Sequence, residues 1–132
     1  MSAGGERSGI ALAIKTVTAN RDGSPASMVF DEIDTGIGGR TAQMVAERIA
    51  MVAAHRQVLC ITHLPQIACM ADTHLYISKH VIDNQTSTVI HPLTTGERVN
   101  EIARMASGAN VSSASLDNAR EMIAYAGVKK EQ

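Results

Sequence analysis

Aromatic residues are scarce in this sequence, which has one phenylalanine, two tyrosines and no tryptophan among its 132 residues. Because such large side chains often dominate a protein core, the core here has to be built from alanine, valine, isoleucine, leucine and methionine. Hydrophobic residues nevertheless make up 45% of the chain, an ordinary fraction for a globular protein. The length is sufficient for one domain with a core of its own.

Cysteine, excess charge and long apolar runs are also lacking. The two cysteines, Cys60 and Cys69, lie in apolar stretches, which favours free thiols in a reducing cytoplasm. The formal net charge is -1 and the basic residues are scattered between Arg7 and Lys130, so no basic stripe indicates direct binding of nucleic acid. No apolar run is long enough to cross a membrane, and residues 1–7 lack the apolar segment of a signal peptide. We therefore expect a cytoplasmic protein without a membrane partner.

A phosphate-binding P-loop is missing as well, because the pattern G-x-x-x-x-G-K-[ST] occurs nowhere in the sequence. The lysine and the cradle of backbone amides that hold the β- and γ-phosphates of a nucleotide are therefore absent. Any nucleotide chemistry of this chain would need that element from another segment or another protein.

The hydrophobic pattern predicts an α/β fold, with a mostly parallel sheet flanked by helices. The predicted helices cover residues 10–18, 40–54, 65–70, 97–106 and 115–125. The predicted strands cover residues 27–31, 57–62 and 73–79, with a further β-rich stretch at 86–93. Strand–helix–strand order with near-continuous apolar strands predicts parallel pairing and a right-handed crossover. Asp83-Asn84 is expected to turn a hairpin, Ser112 or Ser113 to cap the last helix, and residues 129–132 to form a polar tail.

Two adjacent acids, Asp31 and Glu32, end the first predicted strand, and His63 follows the next strand. Since ligands bind beyond the carboxyl ends of parallel strands, we expect these side chains to share one edge of the sheet. Asp31 could hold Mg²⁺, Glu32 could accept a proton from an attacking water, and His63 could donate a hydrogen bond to a phosphate. The alternative is that the acids only open a loop, with Asp34 capping a turn.

Four stretches, taken in order, resemble the RecN family of DNA repair proteins. They are Ala-Gly-Gly-Glu at residues 3–6, followed by the apolar residues 10–15; Met-Val-Phe-Asp-Glu-Ile-Asp-Thr-Gly-Ile at 28–37; Leu-Cys-Ile-Thr-His-Leu-Pro-Gln-Ile-Ala at 59–68; and Arg-Val-Asn-Glu-Ile-Ala-Arg-Met at 98–105. The resemblance implies the C-terminal half of a P-loop NTPase head of the ABC and SMC-like type, with a β-hairpin and two C-terminal helices. It implies one domain over residues 1–132. Its parts would be the signature loop 2–9, the Walker B strand 27–32, the switch-histidine strand 57–63 and the C-terminal helices 97–126.

The resemblance also implies a role for each acid and for the histidine. Asp31 would be the Walker B aspartate that holds Mg²⁺, and Glu32 the general base. His63 would be the switch histidine near the γ-phosphate of ATP. Residues 34–36, from Asp34 to Gly36, would lie in the loop that crosses a dimer interface.

Gly4, Gly5 and Glu6 would belong to the signature loop, which in this family contacts ATP bound to the opposing head. The family pattern is Ser-Gly-Gly-Glu-Leu-Ser-Arg, whereas Ala3 here stands in place of the serine, and Arg7 and Gly9 replace the leucine and the arginine. The backbone amides of the two glycines could still form part of an anion nest.

The partners implied by the resemblance are the N-terminal half of the same head, which carries the P-loop, and a second head in a homodimer. DNA would be bound through the full-length protein. Double-strand-break repair and recombination, driven by hydrolysis of ATP with Mg²⁺, is then the expected function. The isolated chain is expected to bind ATP poorly and to hydrolyse little or none.

Three other interpretations compete with this one. A catalytically inactive half-head could act as a dimerisation or interaction module. Residues 31–34, Asp-Glu-Ile-Asp, also match the acidic box of helicases, although the Ser-Ala-Thr motif that normally follows is absent. Finally, Cys60-x-x-His63 with Cys69 and His74 could suggest zinc, but the spacing fits no standard zinc finger.

The glycines at 36, 38 and 39 could bind an anion ahead of a helix or simply form a flexible turn.

Overall fold

The computed structural model describes residues 10–15, 27–31 and 38–131. These form five strands and four helices, in the order β1 (Ile10–Lys15), β2 (Ser27–Asp31), α1 (Gly39–Ala53), β3 (Gln57–Thr62), α2 (Pro65–Ala68), β4 (Thr73–Ile82), β5 (Gln85–Pro92), α3 (Thr95–Ser107) and α4 (Ser113–Glu131). None of the helices in these ranges combines the length and the apolarity needed to span a membrane.

The five strands form one mixed sheet in the order β2-β3-β1-β4-β5. β2 and β3 run parallel, with α1 between them in the chain, while β1 pairs antiparallel with both β3 and β4, and β4 pairs antiparallel with β5. The α/β class, the hairpin and the two C-terminal helices are thus confirmed. The expectation of a mostly parallel sheet is wrong, because β1 takes a central position and makes both of its pairings antiparallel.

Residues 10–15 were expected to be helical, and that prediction is wrong. The sequence Ile-Ala-Leu-Ala-Ile-Lys forms β1, which supplies backbone partners to β3 on one side and to β4 on the other. A central strand satisfies the backbone N–H and C=O groups of two neighbours at once. The alternation of large residues and alanine has the period of two that a strand requires, so the signal was present in the sequence. The rest of the predicted helix, residues 16–18, lies outside the described residues.

The crossover helix α1 packs closely on the sheet because its buried face is made of alanine. Ala42 and Ala46 are 0% exposed and Ala53 is 4% exposed. They lie at spacings of four and seven residues, which place them on one face of the helix. Small side chains allow the helix to lie close over Val58 and Cys60 of β3, which are also buried.

The hairpin turn at Asp83-Asn84 is confirmed, since these two residues adopt φ values of 52° and 62°. Left-handed conformations at both central positions are typical of a type I′ turn, whose twist matches that of the flanking strands. The pairing of β4 with β1 ends at Ile77. Beyond this residue, β4 pairs with β5 alone among the strands that the structure describes.

The two C-terminal helices are capped by side chains near their first residues. A capping box holds the start of α3, where Thr94 Oγ1 accepts a hydrogen bond from Glu97 N at 3.2 Å and Glu97 Oε1 accepts one from Thr94 N at 2.9 Å. These bonds to Thr94 hold the pKa of Glu97 below its usual value. Ser112 Oγ accepts from Ser115 N at 3.1 Å, which confirms the predicted cap of α4.

The predicted polar tail is wrong for residues 129–131, because α4 continues to Glu131. Lys130 gives the reason. Its Nζ lies 3.2 Å from Asp72 Oδ1 and donates to the carbonyl oxygen of Ala71 at 3.4 Å, which ties the last turn of α4 to the segment before β4. A cation in the last turn of a helix also complements the helix dipole.

The core lies on one face of the sheet. Residues of all four described helices join Cys60 in a single buried cluster, with Ile102 and Ala103 of α3 and Ala119 of α4 each 0% exposed. On β3 the helix-facing side chains are Val58, Cys60 and Thr62, whereas Leu59 and Ile61 alternate onto the opposite face and are only partly buried.

Candidate functional site

The carboxyl ends of β2 and β3 meet at one edge of the sheet. Their parallel register pairs Asp31 with Ile61, so His63 lies just beyond Asp31 on the neighbouring strand. Asp31 is the last residue of β2, His63 is the first residue after β3, and both are exposed. The structure therefore brings a carboxylate and an imidazole to the edge where parallel sheets bind ligands.

Thr62 shapes the turn on which His63 lies. It ends β3 with 0% exposure, and its Oγ1 accepts a hydrogen bond from Leu64 N at 3.0 Å. Leu64 is the N-cap of α2, and Pro65 takes the first helical position, where its missing N–H costs nothing. Thr62 was not among the predicted site residues, although a threonine that ends an apolar strand just before a polar residue is a recognisable signal.

The other predicted site residues lie outside the described residues. Glu32, Asp34 and Gly36 follow β2, and residues 4–6 (Gly4, Gly5 and Glu6) precede β1. Of the predicted set, the structure places only Asp31 and His63. It neither brings the remaining residues to this edge nor separates them from it.

The N-terminus of α1 lies beside α2. Gly38 is the N-cap, and its carbonyl oxygen accepts a hydrogen bond from Ala42 N at 2.8 Å. A side chain at Gly38 would meet nothing within 4 Å, whereas at Gly39 it would come 3.7 Å from Gln66 Nε2. Gln66 Oε1 is buried and has no hydrogen-bond partner within the described ranges. The helix start is thus open, and Gln66 reaches it from the segment that follows His63.

A group of partly or fully buried polar side chains lies behind α2. Arg98 of α3 donates from Nη2 to the carbonyl oxygens of Ala68, Cys69 and Ala71, at 3.3, 2.9 and 2.8 Å. Burial raises the pKa of the Cys69 thiol to about 11, so the thiol is neutral at physiological pH. Its Sγ donates to the carbonyl oxygen of Gln66 at 3.3 Å.

His74 is buried in the same region, at 3% exposure. Burial, and then the positive charge of Arg98, lower its pKa to about 4. Both ring nitrogens lack a hydrogen-bond partner among the residues that the structure describes. In that part of the chain, no three His, Cys, Asp or Glu side chains are grouped so as to hold a metal ion. Cys60 and His74 are both buried between the sheet and the helices, at 1% and 3% exposure.

The free energy of unfolding is expected to fall as the pH drops from 6.5 to about 4, because of His74. In that window the unfolded chain binds a proton at this imidazole and the folded chain does not. The loss should be on the order of 2 kcal/mol after allowing for solvent screening. Urea unfolding of the wild type and of His74→Gln, at several pH values, measures it as the difference between their pH profiles.

His55→Gln serves as the matched control, because His55 is exposed in the turn after α1. Its pH profile should follow that of the wild type. If His74→Gln and the wild type lost stability in parallel down to pH 4, His74 would not be a buried neutral imidazole in solution.

Comparison with individual curated proteins identifies relatives of the chain, although no family model matches it. The chain is 47% identical over 126 residues to the DNA repair protein RecN of Bacillus subtilis, which covers 96% of this chain and 22% of that protein. It is 47% identical over 124 residues to RecN of Deinococcus radiodurans, covering 94% of this chain and 21% of that protein. For RecN of Haemophilus influenzae the identity is 39% over 123 residues, covering 93% and 22%.

The chain thus spans about a fifth of the length of the curated relatives that it matches. Its own sequence is matched almost from end to end, and the matched part of the relatives is C-terminal. At this level of identity, the chain belongs to the RecN family of DNA repair proteins, and it corresponds to their C-terminal part.

Proposed function

We propose that the chain is the C-terminal half of an ATPase head of the ABC and SMC-like type, in a protein that repairs double-strand breaks in DNA. The observation that carries this proposal is the parallel register of β2 and β3, which sets Asp31 and His63 at one edge. The names of the relatives support the role in DNA repair. We further propose that the protein works in the bacterial cytoplasm, at the nucleoid when it acts on DNA.

Asp31 suits a magnesium site with few protein ligands. Mg²⁺ prefers oxygen ligands and keeps several of its waters, so one or two carboxylates are enough to hold it. Asp31 offers an exposed carboxylate at the carboxyl end of a parallel strand. When bound, Mg²⁺ would neutralise the charge that develops on the β- and γ-phosphates of ATP.

We assign activation of the attacking water to Glu32 and stabilisation of the developing charge to His63. Glu32, as the neighbour of Asp31 in the sequence, would accept a proton from the water that attacks the γ-phosphate. His63 would donate a hydrogen bond to the oxygen on which negative charge accumulates. The buried Thr62 holds the turn that carries His63, so the imidazole stays at the edge where the phosphate would lie.

The part of the head that binds the phosphates is proposed to come from elsewhere in the full-length protein. This chain has no P-loop, and RecN proteins are far longer than the stretch matched here. We propose that the N-terminal half of the head supplies the P-loop, and that a second head completes the site through residues 4–6 and 34–36. DNA would be bound by the full-length protein.

The face of the sheet opposite the helices supports this partner. Parallel strands are normally covered on both faces, but all four described helices join a single core around Cys60. The opposite face carries Val29, which is 65% exposed, and Ile90, which is 52% exposed, with Leu59 and Ile61 only partly buried between them. An apolar surface of this kind suits the missing half of the head.

The test is ATP hydrolysis by an assembled head, defined as this chain mixed with the P-loop-bearing part of a RecN protein. We expect hydrolysis that depends on Mg²⁺ in the mixture and little or none in either part alone. Asp31→Asn should abolish the activity, whereas Asp117→Asn, an exposed carboxylate on α4, should leave it intact.

The inactive interaction module is the second candidate, and Ala3 in place of the signature serine favours it. It predicts that the two parts form a complex, as seen by sedimentation, without any hydrolysis of ATP.

A further inference from the structure

We propose that Arg98 is a positioning residue for His63, because it clamps the segment that follows His63 onto α3. Arg98 is the first residue of the stretch 98–105, which resembles the RecN family but takes no part in the proposed chemistry. It rests on the proposed function only in so far as it assigns a task to His63.

In the part of the chain that the structure describes, Arg98 holds the end of α2 through backbone carbonyl groups. Its Nη2 donates to three of them, on Ala68, Cys69 and Ala71, within 3.3 Å. Carbonyl groups at the C-terminus of a helix have no partner inside the helix, and the guanidinium supplies a donor to those of Ala68 and Cys69 and to that of Ala71 just beyond them. All three bonds come from Nη2, which carries two hydrogens, so one N–H is shared between two carbonyl groups, and Arg98 Nε makes no hydrogen bond to the described residues. The rigid guanidinium plane fixes the position of Nη2, whereas the ammonium of lysine lies on a flexible stem.

The clamped end of α2 is connected to His63 by a short chain of hydrogen bonds. Leu64 N donates to Thr62 Oγ1 at 3.0 Å, and the carbonyl oxygen of Leu64 accepts from Ile67 N and Ala68 N at 3.1 and 3.0 Å. His63 lies inside this segment. These bonds link Ala68 to the turn that carries the imidazole within one turn of helix.

The other end of the clamp is firmly fixed. Arg98 lies in the first turn of α3, next to the capping box of Thr94 and Glu97. One turn later, Ile102 is 0% exposed in the core. Burial lowers the pKa of Arg98 and the charge of Asp72 acts to raise it, but among the described residues the hydrogen bonds of the guanidinium go to the carbonyl oxygens.

The experiment compares Arg98→Lys and Arg98→Met with Arg104→Lys in the 132-residue chain. Arg104 is the matched control, because it lies on the same helix but bonds only to Glu101 of that helix in the described contacts. Amide hydrogen exchange by NMR follows Ile67, Ala68 and Cys69, whose N–H groups bond within the clamped segment.

We expect these amides to exchange at least tenfold faster in both Arg98 variants, with Arg98→Met the faster, and at the wild-type rate in Arg104→Lys. The NMR signals of the His63 ring should shift and broaden in the Arg98 variants only. In the assembled head, kcat should fall about ten- to a hundredfold with little change in KM, the pattern expected of a misplaced group.

Wild-type exchange of the α2 amides in both Arg98 variants would overturn the clamp. Faster exchange with unchanged signals from the His63 ring would overturn the link to His63. If the wild-type assembled head hydrolysed no ATP, the proposed function would fail, but the exchange and ring measurements would still decide this inference. If Arg98→Met does not fold, the same exchange and ring measurements on Arg98→Lys, which keeps the positive charge, still decide the proposal.

Discussion

Replacing Glu32 with glutamine is expected to lower kcat of the assembled head by a factor on the order of 10²–10⁴, the usual contribution of a general base. Glutamine has nearly the shape of glutamate but cannot accept a proton from the attacking water. In the proposed site ATP would be bound by the P-loop of the other half and by Mg²⁺ near Asp31, so KM should change little. Steady-state hydrolysis at saturating Mg²⁺ measures both constants.

Glu121→Gln provides the control for this prediction. Glu121 is an exposed residue of α4, and the same chemical change there should leave kcat at the wild-type value. If Glu32→Gln hydrolysed ATP as fast as the wild type, Glu32 would not be the general base, and the proposed division of labour with Asp31 would have to be abandoned.

Replacing Ile102 with alanine is expected to lower the free energy of unfolding by about 3 kcal/mol, as is typical when a buried isoleucine is truncated in a well-packed core. Ile102 is 0% exposed and is the largest fully buried side chain in the described part of the chain. It lies where α3 meets the cluster around Cys60. Urea unfolding followed by circular dichroism measures the change.

Ile82→Ala is the matched control, because Ile82 is 66% exposed at the tip of the hairpin. The same truncation there should cost less than about 0.5 kcal/mol. Equal losses for the two variants would contradict the placement of the core on the helix-covered face of the sheet.

The elements that the sequence predicted well are those in which the local pattern agrees with the tertiary contacts. α1 shows one continuous alanine-rich face, β3 is an uninterrupted apolar run, and Asp83-Asn84 is a strong turn signal between two β-rich stretches. The start of α3 was placed late, although Thr94 and Glu97 spell a capping box.

β1 was mispredicted because its local pattern is ambiguous. Alanine favours a helix, while the alternation at Ile10, Leu12 and Ile14 fits a strand equally well. Pairing with β3 and β4 decides the outcome, and these partners are between 43 residues (Lys15 and Val58) and 67 residues (Ile10 and Ile77) away in the sequence. Such long-range pairing cannot be seen in a local window.

In the candidate site, too, some features could be predicted from the sequence and others depend on tertiary contacts. The shared edge of Asp31 and His63 follows from parallel pairing, which the order of elements predicted. The roles of Thr62 and Arg98 depend on contacts that composition does not show, since Arg98 reaches carbonyl groups about 30 residues earlier in the chain. Residues 32–37 lie outside the described residues, so the role of Glu32 remains a prediction.

The most direct measurement of the central claim is a calorimetric titration of ATP, with Mg²⁺ present, into the isolated chain and into the assembled head. The account predicts no saturable binding by the isolated chain, because the phosphates have no P-loop to hold them. It predicts saturable binding by the assembled head that weakens in Asp31→Asn. Tight binding of ATP by the isolated chain would contradict the claim that this protein holds one half of a shared site.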